Sequence, residues 1–158
     1  MKTLKIFIFL FVASMSAAQA QFVKAELQVS GLTCSMCSKA TEKSLRTLPF
    51  IADIKPDLNR NLFNITFKPN TPVNLEQMSK KVQSAGFSIN QLKTTIDFDK
   101  LKVSNNSFNY AGNTFQLLNG NGKDLDGQVA VTVVNKGFAP AAVVKKYNAA
   151  GKVYQLVI

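Results

Sequence analysis

In residues 22 to 92 the spacing of hydrophobic residues changes repeatedly between that of a strand and that of a helix. Few folds are compatible with this order. Phe22 to Ser30 alternates between apolar and polar side chains, which predicts a half-buried strand. Ser38 to Leu48 instead repeats its small and apolar residues at helical spacing and is stopped by Pro49, so it predicts a helix. The chain therefore changes from strand to helix across the short turn of residues 31–37.

The following segments predict a pair of strands, a second helix and a last strand. Phe50 to Leu58 and Phe63 to Phe67 both alternate and are separated by a polar turn. Asn74 is a suitable cap for a helix that Gly86 would end, and Phe87 to Leu92 is again strand-like. The order strand, helix, strand, strand, helix, strand predicts the α+β class, as a split βαβ unit with two helices on one face of an antiparallel sheet.

After residue 93 the chain changes to short strand-like runs separated by glycines. A short helix is expected from Pro140 to Tyr147, because proline is favoured in a first turn. We therefore predict a first domain of residues 21–93 and a second, β-rich domain of residues 94–158. Four strands and one helix resemble a small, partly open barrel of the oligonucleotide/oligosaccharide-binding (OB) type, with one strand fewer. The four strands are expected at residues 97–103, 113–118, 128–134 and 152–158.

The first twenty residues have the three parts of a secretory signal. Lys2 and Lys5 give a basic start, Ile6 to Ala13 is an apolar run, and Ala18-Gln19-Ala20 is a cleavage site of small residues. An uncleaved membrane anchor is disfavoured, because the apolar run is far shorter than the roughly 20 residues that span a bilayer. We expect residues 1–20 to be removed and the chain from Gln21 onward to be soluble in the periplasm, without stable membrane insertion.

The basic charge of the chain does not by itself identify a partner. The formal net charge is +10, and without Lys2 and Lys5 the 17 remaining basic residues exceed the 9 acids by 8. The lysines are scattered, and no basic run is interleaved with aromatic residues as in nucleic-acid grooves. A solvated basic surface is expected, and no nucleic-acid partner.

Both cysteines of the chain, Cys34 and Cys37, lie in the turn before the first helix. A disulfide is the usual expectation in an exported protein. A bridge between residues three apart closes a very small loop, however, and removes little entropy from the unfolded chain. The positive end of a helix dipole lowers thiol pKa, so this pair is suited to chemistry as thiolates.

Two thiolates at this spacing are suited to one soft metal ion. Soft sulfur ligands favour Cu(I), and also suit Zn(II) and Hg(II). The chain has no histidine and no third cysteine, so one molecule cannot supply the four nitrogen or sulfur ligands of a structural zinc site. Cys34 and Cys37 are therefore predicted to hold a two-coordinate ion in an open site, which favours transfer over storage.

The sequence from Gly31 to Cys37, GLTCSMC, resembles the GMTCxxC signature of heavy-metal-associated domains. The resemblance extends over about Phe22 to Leu92. It includes Lys39, the segment from Leu45 to Pro49, and the closing Ala85-Gly86-Phe87. It implies a ferredoxin-like βαββαβ fold, Cu(I) as the first metal with Hg(II) or Zn(II) as alternatives, and Cys34 and Cys37 as ligands.

The resemblance also implies partners and marks two departures. Relatives in this family are copper chaperones, amino-terminal domains of copper-transporting ATPases and a periplasmic mercury-binding protein, so the expected partner is a metal-transporting membrane protein or another thiol-bearing acceptor. Leu32 stands where methionine is usual, and an apolar side chain of similar volume should be tolerated there. Phe50 stands where the family often has glycine. Phe87 is expected near the metal, as a core aromatic or as a residue that shapes the site.

Two other functions stay open at the level of sequence. A CxxC at a strand-to-helix turn also occurs in thiol-disulfide oxidoreductases, although no tryptophan or proline flanks Cys34 and Cys37 here. Alternatively, the first domain is a docking module, the second domain binds a protein or glycan, and the cysteines are incidental. We expect a metal carrier that is not an enzyme, with no catalytic residues.

Overall fold

The computed structural model describes residues 20–32, 34–98, 106–120, 125–149 and 151–158. Within these ranges no helix is long and apolar enough to span a membrane. The elements, in chain order, are β1 (Gln21–Ser30), α1 (Ser35–Arg46), β2 (Ile51–Asp57), β3 (Leu62–Phe67), α2 (Leu75–Ser84), β4 (Ser88–Asp97), β5 (Ser107–Tyr110), β6 (Asn113–Leu117), β7 (Gln128–Val133), α3 (Ala141–Lys146) and β8 (Tyr154–Val157).

The first six elements confirm the predicted order of strands and helices. β1 lies between β3 and β4 and pairs antiparallel with both, and β2 pairs antiparallel with β3. The Asn74 side chain caps α2 by accepting a hydrogen bond from the Gln77 N–H at 3.0 Å. Gly86 follows the helix at φ 87°, the left-handed conformation that favours glycine.

In the first residues of β1, the side chains that are buried differ from the predicted ones. Strict alternation places Val23 in the core, but Phe22 is buried and Val23 is only half-buried. The ladder with β4 explains the change, because its register shifts between Phe22 and Lys24. Val23 is the extra residue of a β-bulge, and a bulge exchanges the two faces of a strand.

Beyond β4 the strands continue the same sheet. β4 pairs antiparallel with β7 from Leu92–Val133 to Asp97–Gln128, and the full order is β2-β3-β1-β4-β7-β8-β6-β5. β6 and β8 pair in parallel. The C-terminal part is β-rich, as predicted, but its OB-like barrel is not confirmed. The described strands extend an open sheet, because β4 offers β7 a free edge on the side away from β1.

The four C-terminal strand predictions have different outcomes. The strands expected at residues 113–118, 128–134 and 152–158 correspond to β6, β7 and β8. In the one expected at 97–103, residue 97 ends β4, and residues 99–103 lie outside the described residues. β5 was not predicted, since Phe108 is its only buried side chain. β4 itself crosses residue 93, the predicted domain boundary, and the division into two domains stays a prediction.

An aromatic cluster joins the two parts of the sheet. The Phe22 ring centroid lies 6.2 Å from that of Phe67, 4.9 Å from Tyr110 and 5.8 Å from Phe115. The Tyr110 hydroxyl also accepts a hydrogen bond from the Val73 N–H at 3.1 Å, just before α2. The C-terminal strands therefore share the hydrophobic core of the N-terminal part.

Candidate metal centre

The cysteine turn begins at a residue whose backbone conformation favours glycine. Gly31 follows β1 with φ 84°, where a side chain is strained. A Cβ at Gly31 would also lie 3.6 Å from the Phe87 ring. Leu32 is 8% exposed and anchors the turn in the core, as expected for the residue that replaces methionine. Thr33 lies outside the described residues.

Cys34 and Cys37 both lie in the first turn of α1. The helix begins at Ser35, three residues earlier than the periodicity predicts, and Cys34 is its N-cap residue with φ −142° and ψ 154°. The Cys34 Sγ accepts a hydrogen bond from the Cys37 N–H at 3.2 Å. This cap explains the earlier start, because it satisfies a backbone donor that the first helical turn leaves free.

The two thiols differ in their chemistry. The hydrogen bond from the Cys37 thiol, followed by that from the Cys37 N–H, lowers the pKa of Cys34. The same thiol pair raises the pKa of Cys37, with desolvation and the charge of Cys34 as further causes. Cys34 is exposed, whereas Cys37 is half-buried and packs on the core. Cys34 is therefore the first thiolate to form and the one that solvent reaches.

One side of the cysteine turn is exposed to solvent, and the other side packs against the core. Met36, between the cysteines, is 79% exposed, as expected for a side chain that faces solvent. Phe87 is half-buried, packs against the core and contacts the position of Gly31, so it supports the turn as well as the core. On α1, the Thr41 hydroxyl donates to the Cys37 carbonyl at 3.1 Å and fixes the first turn.

The departure at Phe50 does not disturb the turn between α1 and β2. Phe50 is buried, and its ring lies 6.3 Å from that of Phe67. It is not among the described residues that have positive φ, so the turn does not require glycine. The larger side chain is accommodated in the hydrophobic core.

The donor set of the site consists of two sulfur atoms. Among the described residues no group of three or more histidine, cysteine, aspartate or glutamate side chains could hold a metal ion. The first turn of α1 also contains no acidic residue. The arrangement therefore fits a soft ion with low coordination number and does not fit Ca²⁺ or Mg²⁺, which need oxygen ligands.

Comparisons with known proteins identify the domain that contains the two cysteines. The family model of the heavy-metal-associated domain matches residues 26–88. The probable copper-transporting ATPase HMA5 of Arabidopsis thaliana is 39% identical over 64 residues, which are 40% of this chain and 6% of that protein. The chain thus spans only a small part of the length of this curated relative.

Solved structures of metal-binding domains resemble the chain at low overall similarity. The CopZ metallochaperone is 20% identical with a TM-score of 0.39, over 42% of this chain and 97% of that one. A copper-binding domain from HMA7, a P-type ATPase, is 29% identical with a TM-score of 0.38, over 42% and 92%. The N-terminal soluble domains of Bacillus subtilis CopA are 19% identical with a TM-score of 0.40, over 88% and 93%. On the match of the family model, residues 26–88 of this chain form a heavy-metal-associated domain.

Proposed function

We propose that this protein is an exported carrier that holds a soft metal ion, in the first place Cu(I), between Cys34 and Cys37 and passes it to a thiol-bearing acceptor. The observation that carries the proposal is the placement of both cysteines in one exposed helical turn, with Cys34 as the N-cap and Cys37 hydrogen-bonded to it at 3.2 Å. The signal-like residues 1–20 support the proposal of export, and the periplasm is the compartment that we propose for the carrier.

The openness of the site favours transfer over storage. Cys34 and Met36 are exposed, so thiols of an acceptor can approach the ion while it is still held by the first pair. Cu(I) or Hg(II) held by two thiolates can accept a further thiol ligand. Zn(II) would need two more ligands from elsewhere. A metal-transporting membrane protein with a dithiol of its own is a suitable acceptor.

The test is anaerobic native mass spectrometry of the reduced protein with limiting Cu(I), Hg(II) and Zn(II), each challenged by a competing chelator. We expect one Cu(I) per chain, and no retained metal in the Cys34→Ser/Cys37→Ser variant. Met36→Leu is the matched control, because it removes an exposed sulfur from the same turn without removing a ligand. Metal retention by the double serine variant would contradict the proposal and would favour a docking module.

A thiol-disulfide oxidoreductase is the second candidate, and one observation favours it. The pKa of Cys34 is lowered and that of Cys37 is raised, which resembles a nucleophilic and a resolving cysteine. Catalytic reduction of an insulin disulfide by the reduced protein would support this function. Absence of catalytic turnover, together with Cu(I) binding, would exclude the oxidoreductase function and support the carrier function.

A further inference from the structure

A cleft of about 610 Å³ opens beside the cysteine turn, at the end of the sheet where β4 and β7 separate. β7 pairs with β4 only from Leu92 onward, so among the described residues Ser88–Gln91 have a strand neighbour on the β1 side alone. In antiparallel pairing, alternate residues direct their backbone N–H and C=O to opposite sides. The β1–β4 ladder has a β-bulge at Asn90, which interrupts the alternation. Those of the four residues whose N–H and C=O face away from β1 present unpaired backbone groups to the cleft.

A buried asparagine holds the two strands apart. Directly after β7, the Val134 N–H donates to the Gln155 carbonyl at 3.0 Å, which draws the chain toward β8. The Asn135 side chain is 6% exposed, donates to the Val153 carbonyl at 2.8 Å and accepts from the Gln155 N–H at 2.5 Å. The gap beside Ser88–Gln91 is thus built into the fold by specific hydrogen bonds.

The opposite wall of the cleft is equally fixed in place. It consists of residues 136–148, which include α3 and the turn at Gly137. The Gly137 carbonyl accepts a hydrogen bond from the Ser79 hydroxyl of α2 at 3.2 Å, and Ser79 in turn accepts one from Gln83 at 3.1 Å. A slot with two anchored walls is preorganised, which lowers the entropy lost on binding.

The chemistry of the lining indicates what the slot accepts. Its described lining contains two lysines, Lys136 and Lys145, and no aspartate or glutamate. Ile89, Pro140 and Val144 supply apolar surface between them. A free strand edge, apolar contacts for alternate side chains and a positive charge on one wall are the features by which a sheet captures an extended peptide.

We propose that this cleft binds an extended acidic segment of a partner protein, which adds a short strand to β4 at Ser88–Gln91 and places its carboxylates near Lys136 and Lys145. Ser30 and Ser88 form the last pair of the β1–β4 ladder, and Gly31 and the cysteine turn follow Ser30 directly. The captured segment therefore ends at the same end of the sheet as the cysteine turn. That its owner is the metal acceptor rests on the proposed function, whereas the docking itself does not.

The test uses a capped, fluorescent heptapeptide that alternates glutamate and valine. It is titrated into the reduced chain from Gln21 onward. Fluorescence anisotropy measures affinity, and amide hydrogen exchange locates the contact. We expect binding, slower exchange at residues 88–91, and loss of both when alternate peptide amides are N-methylated, because methylation removes strand donors but keeps the charge. Lys136→Glu/Lys145→Glu should weaken binding about tenfold and improve binding of the lysine–valine counterpart.

The control variant is Lys43→Glu/Lys55→Glu, which changes the net charge equally at two exposed lysines outside the cleft and should alter affinity less than about twofold. Equal binding of the N-methylated peptide, equal effects of the two charge reversals, protection outside residues 88–91, or no binding at millimolar peptide would overturn the proposal. Because Cys34→Ser/Cys37→Ser should bind the peptide like the wild type, failure of metal binding and failure of docking are separate results.

Discussion

At the scale of single residues, the reactivity of the site depends on the hydrogen bonds between Cys34 and Cys37. The prediction that both are ligands comes from the sequence, because CxxC before a helix is a local pattern, and it stays a prediction. The sequence was not sufficient to show that Cys34 caps the helix, since the periodicity of α1 becomes visible only from Ser38 onward. The difference in pKa between the two thiols follows first from the hydrogen bond between them, and the cap lowers the pKa of Cys34 further.

Cys34 should react with iodoacetamide at lower pH than Cys37 in the metal-free, reduced protein. A lowered pKa means that the Cys34 thiolate forms first as pH rises, and Cys37 requires a higher pH than an ordinary thiol. Mass spectrometry after timed alkylation across pH 5 to 10 separates the two sites. Cys37→Ala should move the Cys34 profile to higher pH, because the thiol donor is lost, and Met36→Leu should leave it in place. Identical profiles for both thiols would contradict this reasoning.

Gly31→Ala should destabilise the protein by about 1–2 kcal/mol, the cost of a side chain in left-handed backbone. Gly31 has φ 84°, and the new methyl group would also contact the Phe87 ring. Urea unfolding measures the change. Gly151→Ala is the matched control, since Gly151 does not have positive φ and its nearest neighbour to a new Cβ is at 4.0 Å. Equal effects at both glycines would show that backbone strain at Gly31 is not the cause.

At the scale of elements, β4 connects the site to the rest of the chain. Hydrophobic alternation predicted its strand character but ended it at Leu92, whereas the observed strand continues to Asp97 and pairs with β7 over the added length. Alternation cannot predict which strands become neighbours, nor the parallel contact of β6 with β8. Alternation also does not predict the bulge at Val23, because Phe22 and Val23 are both apolar and either could face the core.

Asn135→Ala should cost about 1–3 kcal/mol, because it leaves the partly buried Val153 carbonyl and Gln155 N–H without their partner. Chemical denaturation gives the value, and hydrogen exchange should show faster opening of β8. Asn109→Ala provides the comparison, since Asn109 is exposed and bonds only to the Thr114 side chain among the bonds described. Similar losses for the two asparagines would mean that burial at Asn135 is not decisive.

At the scale of the whole molecule, the described residues form one eight-stranded sheet whose two parts share a core around Phe22 and Phe115. The sequence separated residues 21–93 from 94–158 by a change in composition, and that change corresponds to a different arrangement of strands within the same sheet. The heavy-metal-associated domain contains the candidate site, and residues 136–148, which lie between β7 and β8, form one wall of the cleft.

Phe115→Ala should therefore destabilise both parts together, by about 3–5 kcal/mol. Its ring is buried and lies against Phe22 of the first part and Tyr154 of the last strand. Hydrogen exchange that reports β1 and β6 separately is the measurement, and both should lose protection in parallel. Loss of protection in β6 alone would show that the C-terminal part unfolds independently.

The central claim is that two sulfur atoms, those of Cys34 and Cys37, hold a soft metal ion. X-ray absorption at the copper edge of the Cu(I)-loaded protein tests it most directly, because it identifies the atoms bonded to the metal. We predict a first shell of sulfur only, unchanged in Met36→Leu and absent in Cys34→Ser/Cys37→Ser. Nitrogen or oxygen in the first shell of the wild type, or the same spectrum from the double serine variant, would contradict the account.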